Sequence, residues 1–271
     1  MASMTDLVNE GLKYPFNDIK RILSFGVLFT LLSIVEVEIG VKFLYLLRFV
    51  EESSKNFSTI NSFFTNDVYI IALFSVICFI ISLLIMGYQY NVLKFSITKN
   101  NDLPGFNVLN LLKNGVKYFI VSLVYNIIPI IVLIASLELL PIYSSAYLLS
   151  ILAFILLIIC NFLQIMALSN MVDTDKFAKA FDLRDITDKI ANIGLVRYIG
   201  IILFTLLIYA IILIVTNIIL MLFTSLLFAV AFEQVVAIFV IIVLIEGLLI
   251  FPYIGISLHR VYGSIYRESK Y

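Results

Sequence analysis

Polar side chains that interrupt long apolar runs are the residues best suited to chemistry in this sequence. Glu246 lies near the middle of the last run, and four amides, Asn126, Asn161, Gln164 and Asn217, lie within earlier runs. A carboxylate in the middle of a bilayer costs about 2.5–3.5 kcal/mol, and intramembrane carboxylates are commonly functional. Glu246 therefore has two interpretations. It is part of an ion or proton site with an amide across the bundle, or it is a neutral glutamic acid hydrogen-bonded to a neighbouring helix.

The sequence contains no recognisable catalytic or metal-binding motif. It has no phosphate-binding loop, no paired metal-binding histidines, no nucleophile elbow and no dinucleotide fingerprint. Cys78 and Cys160 each lie inside an apolar run, where a cysteine packs as a small apolar group. The single histidine, His259, is expected to hydrogen-bond at a membrane interface beside Arg260. We therefore expect no catalytic residue, no metal and no cofactor, and an enzyme is the least favoured class.

The composition indicates that lipid, rather than water, solvates much of the chain. Hydrophobic residues make up 62% of its 271 residues and charged residues 13%, and the mean hydropathy is +1.11. Soluble domains are typically about 45–50% apolar and about 25% charged. The 18 basic and 18 acidic residues balance, which gives no sign of nucleic-acid binding. The expected partner is the lipid bilayer; the sequence indicates neither a protein partner nor an oligomeric state.

Six apolar runs are each near or above the about 20 residues that a helix needs to cross the hydrocarbon core. The expected fold is an all-α integral membrane protein, a single polytopic domain over residues 1–271 with short cytoplasmic amphipathic helices. Pro129 lies inside the third run and predicts a kink. The first 21 residues are too long and too acidic for a secretory signal, so we expect no cleavage. The predicted spans are, approximately, residues 22–44, 69–90, 116–140, 145–171, 195–223 and 235–258.

The segments between the predicted spans carry most of the polar residues. Residues 51–67 predict an exposed loop, in which Asn56 begins an N-glycosylation pattern. Residues 106–117 predict a short amphipathic piece. Residues 173–194 have an apolar helical face, which is typical of a helix lying in the membrane interface; packing on the protein's own inner surface is the alternative. That face consists of Phe177, Phe181, Ile186, Ile190 and Ile193.

Basic residues predict how the chain is threaded, because lysine and arginine are enriched in cytoplasmic loops. With six spans, fifteen of the 18 basic residues fall on one side: before the first span, in the second and fourth connections, and after the last span. The other side receives only Lys42, Arg48 and Lys55. We therefore expect a multi-pass protein of the cell membrane with both termini in the cytoplasm.

The junction between the second and third predicted spans organises the chain. Residues 86–106 run from an apolar stretch, through a basic segment, to a proline–glycine turn. Ten residues within and beyond this junction keep a characteristic order and spacing: Gly87, Tyr88, Gln89, Lys94, Pro104, Gly115, Pro129, Arg260, Gly263 and Tyr266. Together they resemble an archaeal family of multi-pass membrane proteins of unknown function, domain of unknown function 4013, over roughly residues 75–267. The resemblance implies the six-span arrangement and supplies no activity or ligand.

The leading functional hypothesis is a non-enzymatic scaffold, sensor or membrane-organising protein that acts through helices on its inner side. The alternative is a transporter or channel for a small solute or ion. A polar, water-accessible cavity around Glu246 in the last four spans would favour transport, whereas a tightly packed, dry bundle would favour the scaffold. The sequence does not identify a substrate.

Overall fold

The computed structural model describes residues 2–53, 60–140, 143, 147–230 and 235–270, and in these ranges the chain forms helices and no strand. A 3₁₀ turn follows α1, a second precedes α6, and a π turn at Glu246–Ile250 joins α8 to α9. The helices are α1 (Met4–Lys13), α2 (Ile19–Ser53), α3 (Ile60–Ile97), α4 (Val108–Leu139), α5 (Tyr147–Thr174), α6 (Leu183–Ile193), α7 (Leu195–Val230), α8 (Val235–Ile245) and α9 (Phe251–Glu268).

Within the ranges that the structure describes, six helical segments are long and apolar enough to cross a membrane, which confirms the fold class expected from the sequence. The last of them combines the end of α8, the π turn and α9. We number these segments as spans 1 to 6: Ile19–Leu44, Val68–Ile97, Val108–Leu139, Tyr147–Thr174, Leu195–Leu227 and Val240–Glu268.

Two helices extend into the loop that was expected at residues 51–67. α2 continues to Ser53 and α3 begins at Ile60, so the backbone on both sides of the connection is helical. This part of the expectation was wrong because polar residues at the ends of long apolar helices continue the helix as readily as they end it. Asn56 lies outside the described residues.

The expected amphipathic piece at residues 106–117 is not a separate element but the first part of α4. Its helical periodicity runs unbroken into span 3, and the helix continues through Pro129. Asn107 begins the helix, because its side-chain oxygen accepts a hydrogen bond from the backbone N–H of Asn110 at 3.1 Å. α9 likewise extends ten residues past the predicted end of the last span, to Glu268.

Buried side chains concentrate at one end of the bundle, which we call the polar end. There α1, residues 98–106 and α6 pack against α9 and the ends of spans 2 and 4. Leu7 and Val8 of α1 are each only 3% exposed. Farther along the spans the apolar side chains are largely exposed; Ile214 of span 5, for example, is 59% exposed. The polar end is therefore the packed part of the protein.

The apolar face of residues 173–194 contributes to this packing. Ile186, Ile190 and Ile193 of α6 are buried in the main core, whereas Phe177 and Phe181 of the preceding 3₁₀ turn are exposed. Of the two interpretations of this segment, packing on the protein's own surface is the one that α6 adopts.

Glycines allow the spans to approach one another backbone to backbone. A Cβ atom at Gly87 of span 2 would overlap the carbonyl oxygen of Leu111, and a Cβ atom at Gly115 of span 3 would overlap that of Leu83. A Cβ atom at Gly263 of span 6 would overlap the Cβ atom of Ser96 of span 2. Small residues serve this purpose generally where membrane helices cross. Three residues of the family-like pattern therefore fix helix crossings.

The π turn in span 6 precedes a proline. The Phe251 N–H donates to the Glu246 carbonyl, five residues earlier, and Pro252, which has no amide hydrogen, follows directly. Gly26 of span 1 packs against the backbone of Leu248 within this turn. The wider turn thus lies at the crossing of spans 1 and 6.

The glycine crossing predicts that Gly87→Ala destabilises the protein by about 3 kcal/mol, because the new methyl group meets backbone rather than a flexible side chain. The midpoint of thermal unfolding in detergent measures this effect. Gly40→Ala is the matched control, since no atom of the described residues outside its own helix segment lies within 4 Å of a Cβ atom at that position. It should leave the midpoint unchanged or raise it. Equal midpoints for the two variants would contradict the crossing.

Candidate functional site

Three of the five polar residues singled out from the sequence meet between spans 3 and 4. Asn126 Nδ2 donates to Gln164 Oε1 at 2.9 Å, and Gln164 Nε2 donates to Ser122 Oγ at 2.8 Å. Asn161 Nδ2 lies 3.4 Å from Asn126 Oδ1 and donates to Leu157 O at 2.8 Å. Such side-chain hydrogen bonds hold neighbouring membrane helices together, so the cluster joins these two spans.

Glu246 and Asn217 do not join this cluster. Glu246 is partly exposed at the start of the π turn, and its side chain makes no hydrogen bond or ion pair with any residue that the structure describes. Asn217 is exposed on span 5 and donates to Leu213 O of its own helix at 2.9 Å. Both interpretations of Glu246 require a polar partner, and the described residues supply none.

A cleft with a volume of about 500 Å³ lies between spans 4 and 5, and we call it the lateral cleft. Its walls include Ile158, Leu203 and Leu206, which are 40%, 54% and 45% exposed, so it opens at the side of the bundle. Asn161 lines it, and none of the described residues that line it is charged. Glu246 is not among the lining residues. The cleft is therefore mainly apolar and separate from the carboxylate.

The floor of the lateral cleft carries three polar aromatic side chains. His259 Nδ1 lies 2.8 Å from Gly255 O, and because a carbonyl only accepts, Nδ1 carries the proton. Nε2 therefore accepts from the Tyr118 hydroxyl at 3.1 Å. The Tyr262 hydroxyl has no hydrogen-bond partner in the described part of the chain. His259, expected at an interface, is instead a buried residue with both nitrogens engaged.

Five charged side chains and one tyrosine hold the segments of the polar end together. We call them the polar layer: Glu10, Arg197, Arg260, Tyr266, Arg267 and Glu268. Four of its members lie on α9 within nine positions of one another. Their partners come from α1, residues 96–101, the end of span 4 and the start of span 5. One helix therefore connects all the segments that meet at this end.

Arg260 is the central residue of the polar layer. Its side chain is 3% exposed, and its Nη2 lies 2.8 Å from Glu10 Oε1. The same guanidinium donates to Asn100 O at 2.5 Å and to Asn101 Oδ1 at 3.0 Å. It also stacks over the ring of Tyr14, 4.3 Å from the centroid. Three separate segments thus converge on one buried cation.

Arg267 and Glu268 extend this arrangement on the next turns of α9. Arg267 Nη2 lies 2.8 Å from Glu10 Oε2, so one carboxylate bridges two arginines. Glu268 accepts from Arg197 Nη2 at 2.8 Å and from the backbone N of Ala2 at 2.6 Å. Each of the two glutamates thus pairs with at least one arginine, which offsets the cost of removing these charges from water.

Tyr266 connects α9 to the end of span 4. Its hydroxyl lies 3.1 Å from Asn170 Oδ1 and 3.2 Å from Asp173 Oδ2. Asn170 in turn donates to Asp185 Oδ2 of α6 at 3.0 Å and accepts from Lys189 Nζ at 2.5 Å. The buried amide of Asn170 therefore links span 4, α6 and α9.

Tyr14 and Asp185, both at the polar end, have displaced pKa values. Burial raises the pKa of the Tyr14 hydroxyl to about 12, although the neighbouring Arg260 acts in the opposite direction. Burial also favours a higher pKa for Asp185, but hydrogen bonds from Asn170, Lys189 and Lys179 outweigh it and hold the pKa below the ordinary value. Tyr14 stays neutral and Asp185 ionised at neutral pH, so this arrangement is electrostatically fixed rather than poised to titrate.

Tyr88 of the family-like triplet has a packing position. It is fully buried and stacks between Phe25 and Phe106, with ring centroids 4.3 and 4.8 Å away. Gln89 lies beside Gly255 of span 6. Pro104 is buried in the connection between spans 2 and 3. No group of His, Cys, Asp and Glu side chains in the described part of the chain is arranged to hold a metal.

The polar layer predicts that Arg260→Met lowers the free energy of unfolding by about 3 kcal/mol, because Glu10 and the Asn100 carbonyl lose a buried partner. Thermal unfolding in detergent measures the change. Arg184→Met is the control, since Arg184 is exposed and has no partner among the described residues; its effect should stay within about 0.5 kcal/mol. Arg260→Lys should recover only part of the loss, because an ammonium lacks the planar fork. Equal effects at Arg260 and Arg184 would refute the role.

Comparison with known proteins finds a match to one family model. No curated protein and no solved structure matches the chain. The family described as a protein of unknown function, DUF4013, matches residues 70–223, more than half of the chain, including spans 3 and 4 and nearly all of spans 2 and 5. The chain therefore belongs to the DUF4013 family.

Proposed function

We propose that the protein is a non-enzymatic, membrane-organising scaffold that holds an acyl chain of a membrane lipid in its lateral cleft. The observation that carries this proposal is the placement of the cleft, which opens sideways between two spans and has no charged lining residue. In a bilayer this opening faces hydrocarbon. Its volume of about 500 Å³ falls within the range of small-molecule sites.

The chemistry of the cleft favours an amphiphile over a purely apolar occupant. Ile158, Leu203 and Leu206 provide apolar walls, whereas Tyr262 presents a hydroxyl that no described residue satisfies. A chain that lies along the walls can place a neutral ester or hydroxyl near Tyr262. This fit supports a neutral polar group next to the acyl chain.

The polar layer supports the scaffold part of the proposal. Buried, mutually paired charges resist separation, because opening the network leaves charges without partners. The segments that it joins are thereby held as one unit with α9. A transporter or channel, the alternative function, receives less support, because Glu246 lies outside the cleft and has no described polar partner.

A single tryptophan introduced into this tryptophan-free chain can test the proposal. Leu206→Trp places the fluorophore in the cleft, and Leu207→Trp places it on the adjacent position, which is 57% exposed and does not line the cleft. The probe is a phospholipid brominated on its acyl chain, added to protein in detergent. Leu206→Trp should be quenched at about one lipid per protein, and Leu207→Trp only as the lipid fraction of the micelle rises.

Identical quenching curves at the two positions would overturn the lipid-binding proposal. The transport alternative has its own measurement, ion or proton flux into proteoliposomes. We expect flux equal to that of protein-free vesicles. A flux that Glu246→Gln abolishes would favour the transporter instead.

We also propose that the polar end faces the cytoplasm of the cell, so that both termini lie there. The support is the concentration of basic residues at this end, where Ala2 and Glu268 are hydrogen-bonded to each other.

Cysteine labelling tests this orientation in a background without Cys78 and Cys160. Asp188→Cys introduces a thiol on α6, where the side chain is exposed, and should react with an impermeant reagent only in opened cells. Tyr143→Cys, between spans 3 and 4, is 60% exposed and should react in intact cells. The reverse pattern would invert the orientation.

A further inference from the structure

We infer that a second cavity, at the polar end, binds an anionic phosphate group. It has a volume of about 570 Å³ and lies between the end of span 2 and the first turns of span 3. Lys94, Lys113 and Lys117 line it, and Asp175 is the acidic residue among its lining residues. We call it the anion pocket. Its lining carries a net charge of about +2, unlike the uncharged lateral cleft.

The lysines of the anion pocket are largely free to bind a ligand. Lys94 and Lys113 are exposed, and their ammonium groups make no hydrogen bond or ion pair with any described residue. Lys117 Nζ lies 3.6 Å from Asp175 Oδ1, and the Asp175 side chain is 71% exposed. Ion pairs of that length and exposure contribute little. The pocket therefore presents ammonium groups that the protein itself does not neutralise.

Three asparagines form the polar wall of the pocket. Asn114, which is 9% exposed, donates through Nδ2 to Asn91 Oδ1 at 2.8 Å and to Asn110 Oδ1 at 2.7 Å. Both neighbours therefore use their oxygen atoms. The side-chain Nδ2 groups of Asn91 and Asn110 have no partner among the described residues. This geometry leaves the Nδ2 groups of Asn91 and Asn110 available as hydrogen-bond donors in the pocket.

This combination matches the chemistry of phosphate. Phosphate oxygens accept several hydrogen bonds at once, and lysine binds phosphate as a point charge. The location beside the ends of two spans gives access to two sources of the same group, the headgroup of an anionic phospholipid and soluble phosphate. The inference rests on the anion pocket alone and does not depend on the lateral cleft.

The test is the rise in the thermal unfolding midpoint of the full chain in detergent as a probe is added, since a ligand that binds the folded state raises it. The probes are phosphatidylglycerol, phosphatidylcholine and inorganic phosphate. The pocket variant is the double substitution Lys94→Gln and Lys113→Gln. The control is Lys13→Gln with Lys20→Gln, which removes the same charge from two exposed lysines outside the pocket.

We expect phosphatidylglycerol to raise the midpoint, phosphatidylcholine to leave it unchanged, and the pocket variant to weaken binding at least tenfold. The control should bind within about twofold of the unaltered protein. A response to phosphatidylglycerol alone identifies a lipid headgroup, and a response to inorganic phosphate identifies a soluble ligand. Either source supports the inference.

No response to any anionic probe, or equal weakening in both double variants, would overturn the inference. The midpoint without probe shows whether each variant folds. If the pocket double variant is already destabilised, Lys113→Gln alone replaces it, with an expected loss of affinity of about threefold.

Discussion

The buried cation of Arg260 is the constraint on which the arrangement of the polar end depends. An arginine that is 3% exposed must be paired, because an unpaired charge removed from water is far more costly than the pairing itself is favourable. Its partners, Glu10 and residues Asn100 and Asn101, belong to α1 and to the connection between spans 2 and 3. Because these segments supply the partners of Arg260, their docking on α9 and the pairing of this buried charge occur together.

The architecture followed from the sequence because it depends on local composition. About 20 apolar residues suffice to form a span wherever they occur, and the six membrane-length helices lie where the apolar runs are. The ends of the helices were harder to predict. Span 6 continues to Glu268 because Arg260, Tyr266 and Arg267 find partners within the protein, and a hydropathy pattern counts those residues as a polar tail.

The candidate sites followed from the sequence only in part, because their contacts join distant positions. Asn126 and Gln164 were expected to face other helices, and they meet across spans 3 and 4. One of the two interpretations of Glu246 placed it with these amides, but nothing in one sequence fixes the rotation of span 6 relative to span 3. The sequence also did not predict that Gly87 and Gly115 allow the backbones of spans 2 and 3 to touch, because the sequence does not show which residue lies opposite a glycine. The lysines of the anion pocket entered the sequence analysis only as basic residues that predict the orientation of the chain in the membrane.

The pairing of Glu10 with Arg260 joins residues 250 positions apart, which has a consequence for how the protein is made. A ribosome adding about 5–20 residues per second needs on the order of 10 to 50 seconds to pass from one to the other. During that interval α1 and the connection after span 2 exist without the helix on which they dock. The polar layer closes only after α9 has been synthesised, so until then the apolar face of α1 lacks the helix that covers it in the folded protein.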